Sequence, residues 1–342
     1  MSVPVGAYVW GGYYREDASA AGLAASVRFV LDQGFGTVRI AVSPRTVEEL
    51  HLGHDTCAGD RQVGCILDQV LADNVFTDPR LKTLILTISD YATFPGHELD
   101  AGYIAANRDR IAGEYRAALA VLDRRLGSHP IDVVLSNWEG DNMVYCGAAY
   151  SYAHDPKFRP GCAGGTEAGI AQHLDGLMAW FQLRRDTVYA YRPASPGIRF
   201  HYAVEFNSLH IVQQDCKGGG CNPALSVFHR LKDGPRPELC SYSSYDGLNR
   251  GLLEADIRTM LTICDKVIIG EIGFPAWGPN AERARSNYAA NTAALLRQKD
   301  HIFAVVFWNA FESKNASDKG YGLWTAEGLP RNLTALPPAL RP

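Results

Sequence analysis

The chain has no excess of basic charge: 33 Lys and Arg stand against 37 Asp and Glu, a formal net charge of −4 over 342 residues. A nucleic-acid partner would call for a basic bias or patch, so none is expected. No apolar run approaches the roughly 20 residues of a membrane-spanning helix, and no membrane partner is expected. Low-complexity segments are lacking, which leaves no disordered region to account for. Repeats of solenoid length are missing too, which excludes a stacked array. The cysteine spacings fit no zinc pattern, and His51-Leu52-Gly53-His54-Asp55 reads as a surface loop. No metal and no cofactor are expected.

What is present is a large apolar fraction and many aromatic rings. Hydrophobic residues make up 46%, enough for a sizeable core, and the 16 Tyr and 6 Trp include several in loop-like stretches. Such rings serve as stacking platforms for sugars or simply pack under loops. Of the eight cysteines, six form close pairs in polar, Gly-rich segments: Cys57/Cys65, Cys146/Cys162 and Cys216/Cys221. Pairs that close short loops suit disulfides and an oxidising compartment. Cys240 and Cys264 make either a fourth bridge or two buried thiols. Met1-Ser2-Val3-Pro4 runs straight into a strand with no secretory signal ahead of it. With the cysteine loops, this fits a mature chain that is secreted or periplasmic and acts as a monomer.

Extended and helical patterns alternate along the whole chain. Strands are expected at Val5 to Trp10, Thr37 to Val42, Leu84 to Ser89, Val133 onward, Ile198 to Phe206, Leu239 to Tyr242, Val267 onward and Phe303 to Trp308. Between them lie helices near Ser19 to Gln33, Gln62 to Leu71, Ala101 to Leu126, Thr166 to Tyr191, Ala224 to Leu231, Leu252 to Cys264 and Ala281 to Lys299. Eight β/α units predict a (β/α)8 barrel, one domain over residues 1–342 with long βα loops, and chemistry at the C-terminal strand ends. The doubly wound alternative wants a glycine-rich phosphate turn after the first strand, and Gly11-Gly12-Tyr13-Tyr14 is not one. Other barrel chemistries lack their marks. Val5 to Trp10 holds no His-x-His, and Lys266 sits at the wrong end of its strand for a Schiff base.

Two apolar strands end in a glutamate: Val133-Val134-Leu135-Ser136-Asn137-Trp138-Glu139 and Val267-Ile268-Ile269-Gly270-Glu271. Paired strand-end carboxylates are what glycoside hydrolysis needs. Alternation predicts that Val133, Leu135, Asn137 and Glu139 share the inner face, as do Val267, Ile269 and Glu271, and Ala304, Val306 and Trp308. The same parity places Arg39 inside. A buried arginine needs a partner, and a rim carboxylate is the natural one; the alternative is a purely structural ion pair. Tyr242 or Tyr245, at the end of the sixth strand, is expected to bond Glu271 and hold it ionised. Asp90 and Asn207 are expected at the subsites, with Asn137, Trp138 and Trp308, and Glu205 is the one rival to the acid pair.

These positions together resemble the clan A retaining glycoside hydrolases, (β/α)8 enzymes with an acid/base on the fourth strand and a nucleophile on the seventh. The resemblance covers the chain from Arg39 to the tail Tyr321-Gly322-Leu323-Trp324-Thr325-Ala326-Glu327-Gly328, similar to the closing hairpin of such barrels. It implies Glu139 as acid/base, Glu271 as nucleophile, and a carbohydrate substrate cleaved by double displacement. In one respect the chain departs: most of the clan has an asparagine directly before the acid/base, and here Trp138 intervenes after Asn137. The alternatives are a carbohydrate-binding barrel without catalysis and a transglycosylase on the same scaffold. Asn315-Ala316-Ser317 and Asn332-Leu333-Thr334 match the glycosylation acceptor.

Overall fold

Each β-branched run forms a strand, and the eight strands close into one parallel barrel in sequence order. They are β1 (Val5–Val9), β2 (Thr37–Val42), β3 (Thr83–Ile88), β4 (Ile131–Ser136), β5 (Ile198–Phe206), β6 (Leu239–Ser243), β7 (Lys266–Ile272) and β8 (Ile302–Phe307). This computed structural model describes residues 3–341 other than 53–56, 58–61, 95, 212–221, 223, 235, 278–280, 314–319, 334–335 and 337–339. The (β/α)8 architecture expected from the sequence is the one observed.

Helices α1 (Ala20–Asp32), α2 (Thr46–Glu49), α3 (Val63–Val70), α4 (Ala101–Ala106) and α5 (Arg108–Leu126) surround the first half of the barrel. Short α6 (Gly140–Val144) and α7 (Ala149–His154) follow β4, and α8 (Glu167–Ala190) leads to β5. The second half carries α9 (Val227–Asp233), α10 (Tyr245–Arg250), α11 (Leu253–Met260) and α12 (Ala281–Arg297). Ser19 caps α1 by accepting from Gly22 N, and Thr166 caps α8 by accepting from Gly169 N. Such caps satisfy backbone donors that a helix start leaves open. The helix expected over Ala101 to Leu126 is two helices meeting at Asn107, whose amide donates to the Tyr103 carbonyl. Local side-chain bonds of that kind compete with a continuous helix.

Two apolar clusters lie on either side of the strands. Tyr8, Ile85, Val134, Ala203, Leu239, Ile268, Ala304 and Val306 fill the barrel. Val133, Leu135, Val267 and Ile269 belong to the larger cluster shared with the helices. The expected parity therefore holds for β8 and fails by one residue on β4 and β7. Their glutamates reach the cleft because alternation ends before them. On β7 the register against β8 shifts between Ile269 and Ile272, and Glu271 lies within that irregularity. On β4 the strand stops at Ser136, three residues short of Glu139. Bulges at barrel rims re-aim side chains in this way.

Disulfides join Cys57 to Cys65, Cys146 to Cys162 and Cys240 to Cys264. The last settles the open alternative in favour of a bridge, from the start of β6 to the connection between α11 and β7. Cys216 and Cys221 lie outside the described residues, as do His54, Asp55 and the Asn315-Ala316-Ser317 site. After β8 the tail folds back, with Trp324 facing Pro330 antiparallel and Phe311 in parallel.

Candidate active site

The floor of the site is an ion pair. Arg39 on β2 is fully buried and donates Nη1 to Glu205 Oε2 at 2.6 Å and Nη2 to Glu205 Oε1 at 2.7 Å. Its Nε and Nη2 also donate to Thr87 Oγ1, its Nη1 to the Gly270 carbonyl at 2.9 Å, and its plane lies 4.4 Å from the Tyr8 ring centre. Ser241 Oγ donates to Glu205 Oε2 at 2.7 Å. A buried guanidinium needs this many partners to offset its lost hydration. The bidentate partner is thus Glu205, on the wall of the barrel, and the expected carboxylate at the rim, Glu271, is a second and longer ion pair. Glu205 ceases to rival the acid pair, because both its oxygens are committed.

Above this floor stand the two strand-end acids. Ser243 Oγ lies 2.5 Å from Glu139 Oε1 and 3.4 Å from Glu271 Oε2. Asn142 Nδ2 donates to the other oxygen of Glu139 at 2.5 Å. Arg39 Nη1 is 3.7 Å from Glu271 Oε1, close enough to act by charge. One hydroxyl cannot touch two oxygens farther apart than its two contacts laid end to end. The nearest oxygens of the pair are therefore closer than the roughly 6.5–9.5 Å that leaves room for a water between inverting carboxyls.

Burial is the chief cause that raises both carboxyls above the ordinary range, Glu139 to about 7. For Glu271 the next cause is the negative charge of Glu139, with Arg39 opposing. Two carboxylates this close cannot both ionise freely, so the protons leave in steps that belong to the pair. Of the two tyrosines expected to bond Glu271, Tyr242 does not reach it. Tyr242 faces outward, donating to Asp256 Oδ2 at 3.1 Å and accepting from Gly247 N.

The other expected residues divide cleanly. Trp138, Trp308, Tyr245 and Asn207 line the cleft. Asn137 is buried beneath it: its Oδ1 accepts from Glu205 N and its Nδ2 donates to the Glu205 and Trp138 carbonyls, stapling β4 to β5. Asp90 is also buried, accepting from Thr93 and from Trp180 Nε1, and holds the β3 loop rather than a substrate. Sequence reasoning missed Ser243, Asn142, Tyr8 and Trp10. Asn142 was legible in principle, three residues beyond Glu139 at the start of a helix; a lone serine carries no such signal.

The cleft has two chambers that meet at the carboxylates. One, of about 370 Å3, is walled by Tyr8, Trp10, Phe94, Trp138 and Trp308 and contains Glu271. The other, of about 350 Å3, holds Glu139, Asn142, Asn207, Ser243, Tyr245 and Asn249. The first is mainly aromatic; the second is lined with amides and hydroxyls. Among the described residues the one cluster of metal-ligating side chains is Cys146, Cys162 and His173, and its two sulfurs are joined to each other.

A closed (β/α)8 barrel with acids at the ends of β4 and β7 defines the class of fold. No family model matches the sequence, and none of the curated proteins matches it. Solved structures do match. A β-glycosidase, BGL167, superposes with a TM-score of 0.59 at 13% identity, over 92% of this chain and 84% of that one. A GH5_18 protein from Streptomyces cattleya, solved with GlcNAc, gives 0.54 at 14% identity over 100% and 79%. The rice β-glucosidase Os3BGlu6 gives 0.58 at 11% identity over 97% and 96%. The resemblance to clan A barrels read from the sequence is thus met in the fold, which is what likeness at such identities shows.

Proposed function

We propose that the chain is a retaining glycoside hydrolase that cleaves a carbohydrate by double displacement, with Glu271 as nucleophile and Glu139 as acid/base. The single observation that carries the reading is the Ser243 hydroxyl in contact with both carboxylates, because that spacing suits direct attack on an anomeric carbon. The neighbours named β-glycosidase and β-glucosidase support β-linked glycosides as the first substrates to try.

The glycone enters the aromatic chamber that contains Glu271, and the leaving group lies in the chamber of Glu139. With one proton shared by the pair, the Arg39 cation at 3.7 Å favours the charge on Glu271 and the proton on Glu139. Glu271 attacks the anomeric carbon as the glycosidic C–O bond breaks, and Glu139 passes its proton to the departing oxygen. A glycosyl ester of Glu271 results. Its charge is now gone, so Glu139 can take a proton from water, and the hydroxide displaces Glu271.

The test uses activated aryl glycosides and azide. Glu271→Ala should lose turnover of every substrate. Glu139→Ala should keep the first step on aryl glycosides, whose leaving group needs no proton, and fail on unactivated sugars. Azide should rescue Glu139→Ala with retention and Glu271→Ala, if at all, with inversion. Swapped anomers by NMR would reverse the roles, and full activity in both variants would remove the proposal.

A further inference from the structure

The aromatic chamber has charge at one place besides Glu271. Arg45 and Glu49, four residues apart, border it from the α2 turn that follows β2. Four-residue spacing on a helix usually brings opposite charges together. Here neither side chain makes an ion pair or a hydrogen bond among the described residues, and Arg45 instead lies 5.2 Å from the Phe94 ring. The α2 backbone is anchored beneath them: Thr46 Oγ1 accepts from Ser43 N, Ser43 Oγ accepts from Arg45 N, and Thr46 and Val47 are buried. Two opposite charges are thus held on a fixed turn, at the wall of a cavity whose other large side chains are aromatic.

That combination suits a polyol. Rings stack on the apolar face of a sugar, while a carboxylate accepts from hydroxyls and a guanidinium donates to them. We infer that Arg45 and Glu49 determine glycone specificity by binding a pair of hydroxyls remote from the anomeric carbon, and so select a neutral sugar over a uronic acid. An acidic glycone would bring its carboxylate toward Glu49, and the Arg45 charge cannot serve both. Burial already raises the Glu49 carboxyl above its usual range, with Glu48 adding to the rise and Arg45 opposing it, so a second anion beside it is disfavoured. Both side chains stay open enough to exchange water for substrate.

This inference rests on the glycosidase reading, and the experiment separates the two. Wild type, Glu49→Ala and Arg45→Ala are compared on a matched set of aryl glycosides: the parent sugar, its monodeoxy analogues and the corresponding uronide. Loss of a hydrogen bond to a charged group, about 1.5–3 kcal/mol, predicts a fall of about 10–150-fold in kcat/KM for Glu49→Ala on the parent. The fall should appear mainly in KM and should vanish on the one analogue that lacks the bonded hydroxyl. Glu49→Ala should also narrow the preference for parent over uronide. Equal losses on every analogue, with an unchanged melting temperature, would overturn the specificity role. Parallel calorimetric titrations with the free parent sugar give a readout without turnover. If wild type hydrolyses none of the glycosides yet binds the sugar and Glu49→Ala does not, the glycosidase reading fails while the recognition site stands. If both proteins bind alike, the site is overturned as well.

Discussion

Ser243 joins the two acids by a single hydroxyl, and its loss has a sign that can be worked out. Its bond to Glu139 favours the ionised carboxylate and so opposes the burial that, on balance, raises that pKa to about 7. Without it the Glu139 pKa must climb further. In Ser243→Ala, the alkaline limb of the kcat/KM profile, which in wild type should fall above about pH 7, is expected to move to higher pH. Turnover should drop by roughly fivefold as well, one ordinary hydrogen bond being worth about 1 kcal/mol. An alkaline limb that stays in place would mean that Glu139 is not the group that titrates. The two glutamates were legible because a carboxylate after an apolar run is unusual chemistry for a strand end. Ser243 was not, since a serine near a strand end has many uses. Asn137 and Asp90 misled for a related reason: their side chains can bind a sugar or a backbone, and only the neighbouring chain decides which.

At the scale of the element, β7 shows how far alternation can be trusted. Strict period two put Val267 and Ile269 inside, yet Ile268 fills the barrel and Glu271 still faces the cleft. The irregularity that reconciles these lies next to Gly270, and the physical reason for a glycine there is crowding. A Cβ at Gly270 would run into Glu205 Oε2 and Ser241 Oγ and stand 3.0 Å from Arg39 Nη1. Gly270→Ala should therefore pry the buried Arg39–Glu205 pair apart, and breaking such a pair costs about 3–5 kcal/mol. Chemical denaturation should show that loss in its midpoint. A change under 1 kcal/mol, the usual scale of a surface substitution, would mean that the rim of β7 yields easily. Tyr242 belongs to the same lesson. Its sequence position near Glu271 was correct, but a strand faces both ways, and this side chain serves the helix layer through Asp256.

On the scale of the whole molecule, the barrel was legible because eight apolar strands alternate with helices and need no long-range information to count. The two-chambered cleft was not, since it depends on how loops from distant strands meet. The disulfides among the described residues lie outside the barrel interior: one in the β2–β3 connection, one in the β4–α8 loop, and one tying β6 to the connection between α11 and β7. Thiol titration of denatured, unreduced protein should find no more than two free cysteines. Reduction should lower the melting temperature, since a bridge closing a loop of this length stabilises by about 2–4 kcal/mol. Eight free thiols in protein from an oxidising compartment would contradict the pairing.

The central claim is that Glu271 bonds covalently to the sugar, and the most direct measurement is intact-mass analysis after incubation with an activated 2-deoxy-2-fluoro glycoside. Such a reagent forms the glycosyl ester and slows its hydrolysis. The account predicts one equivalent of added sugar, mapped by peptide sequencing to Glu271, with Glu139→Gln still labelled when the leaving group is activated. Label on Glu139 or Glu205, or steady turnover of the parent glycoside by an enzyme that no such reagent marks, would contradict it.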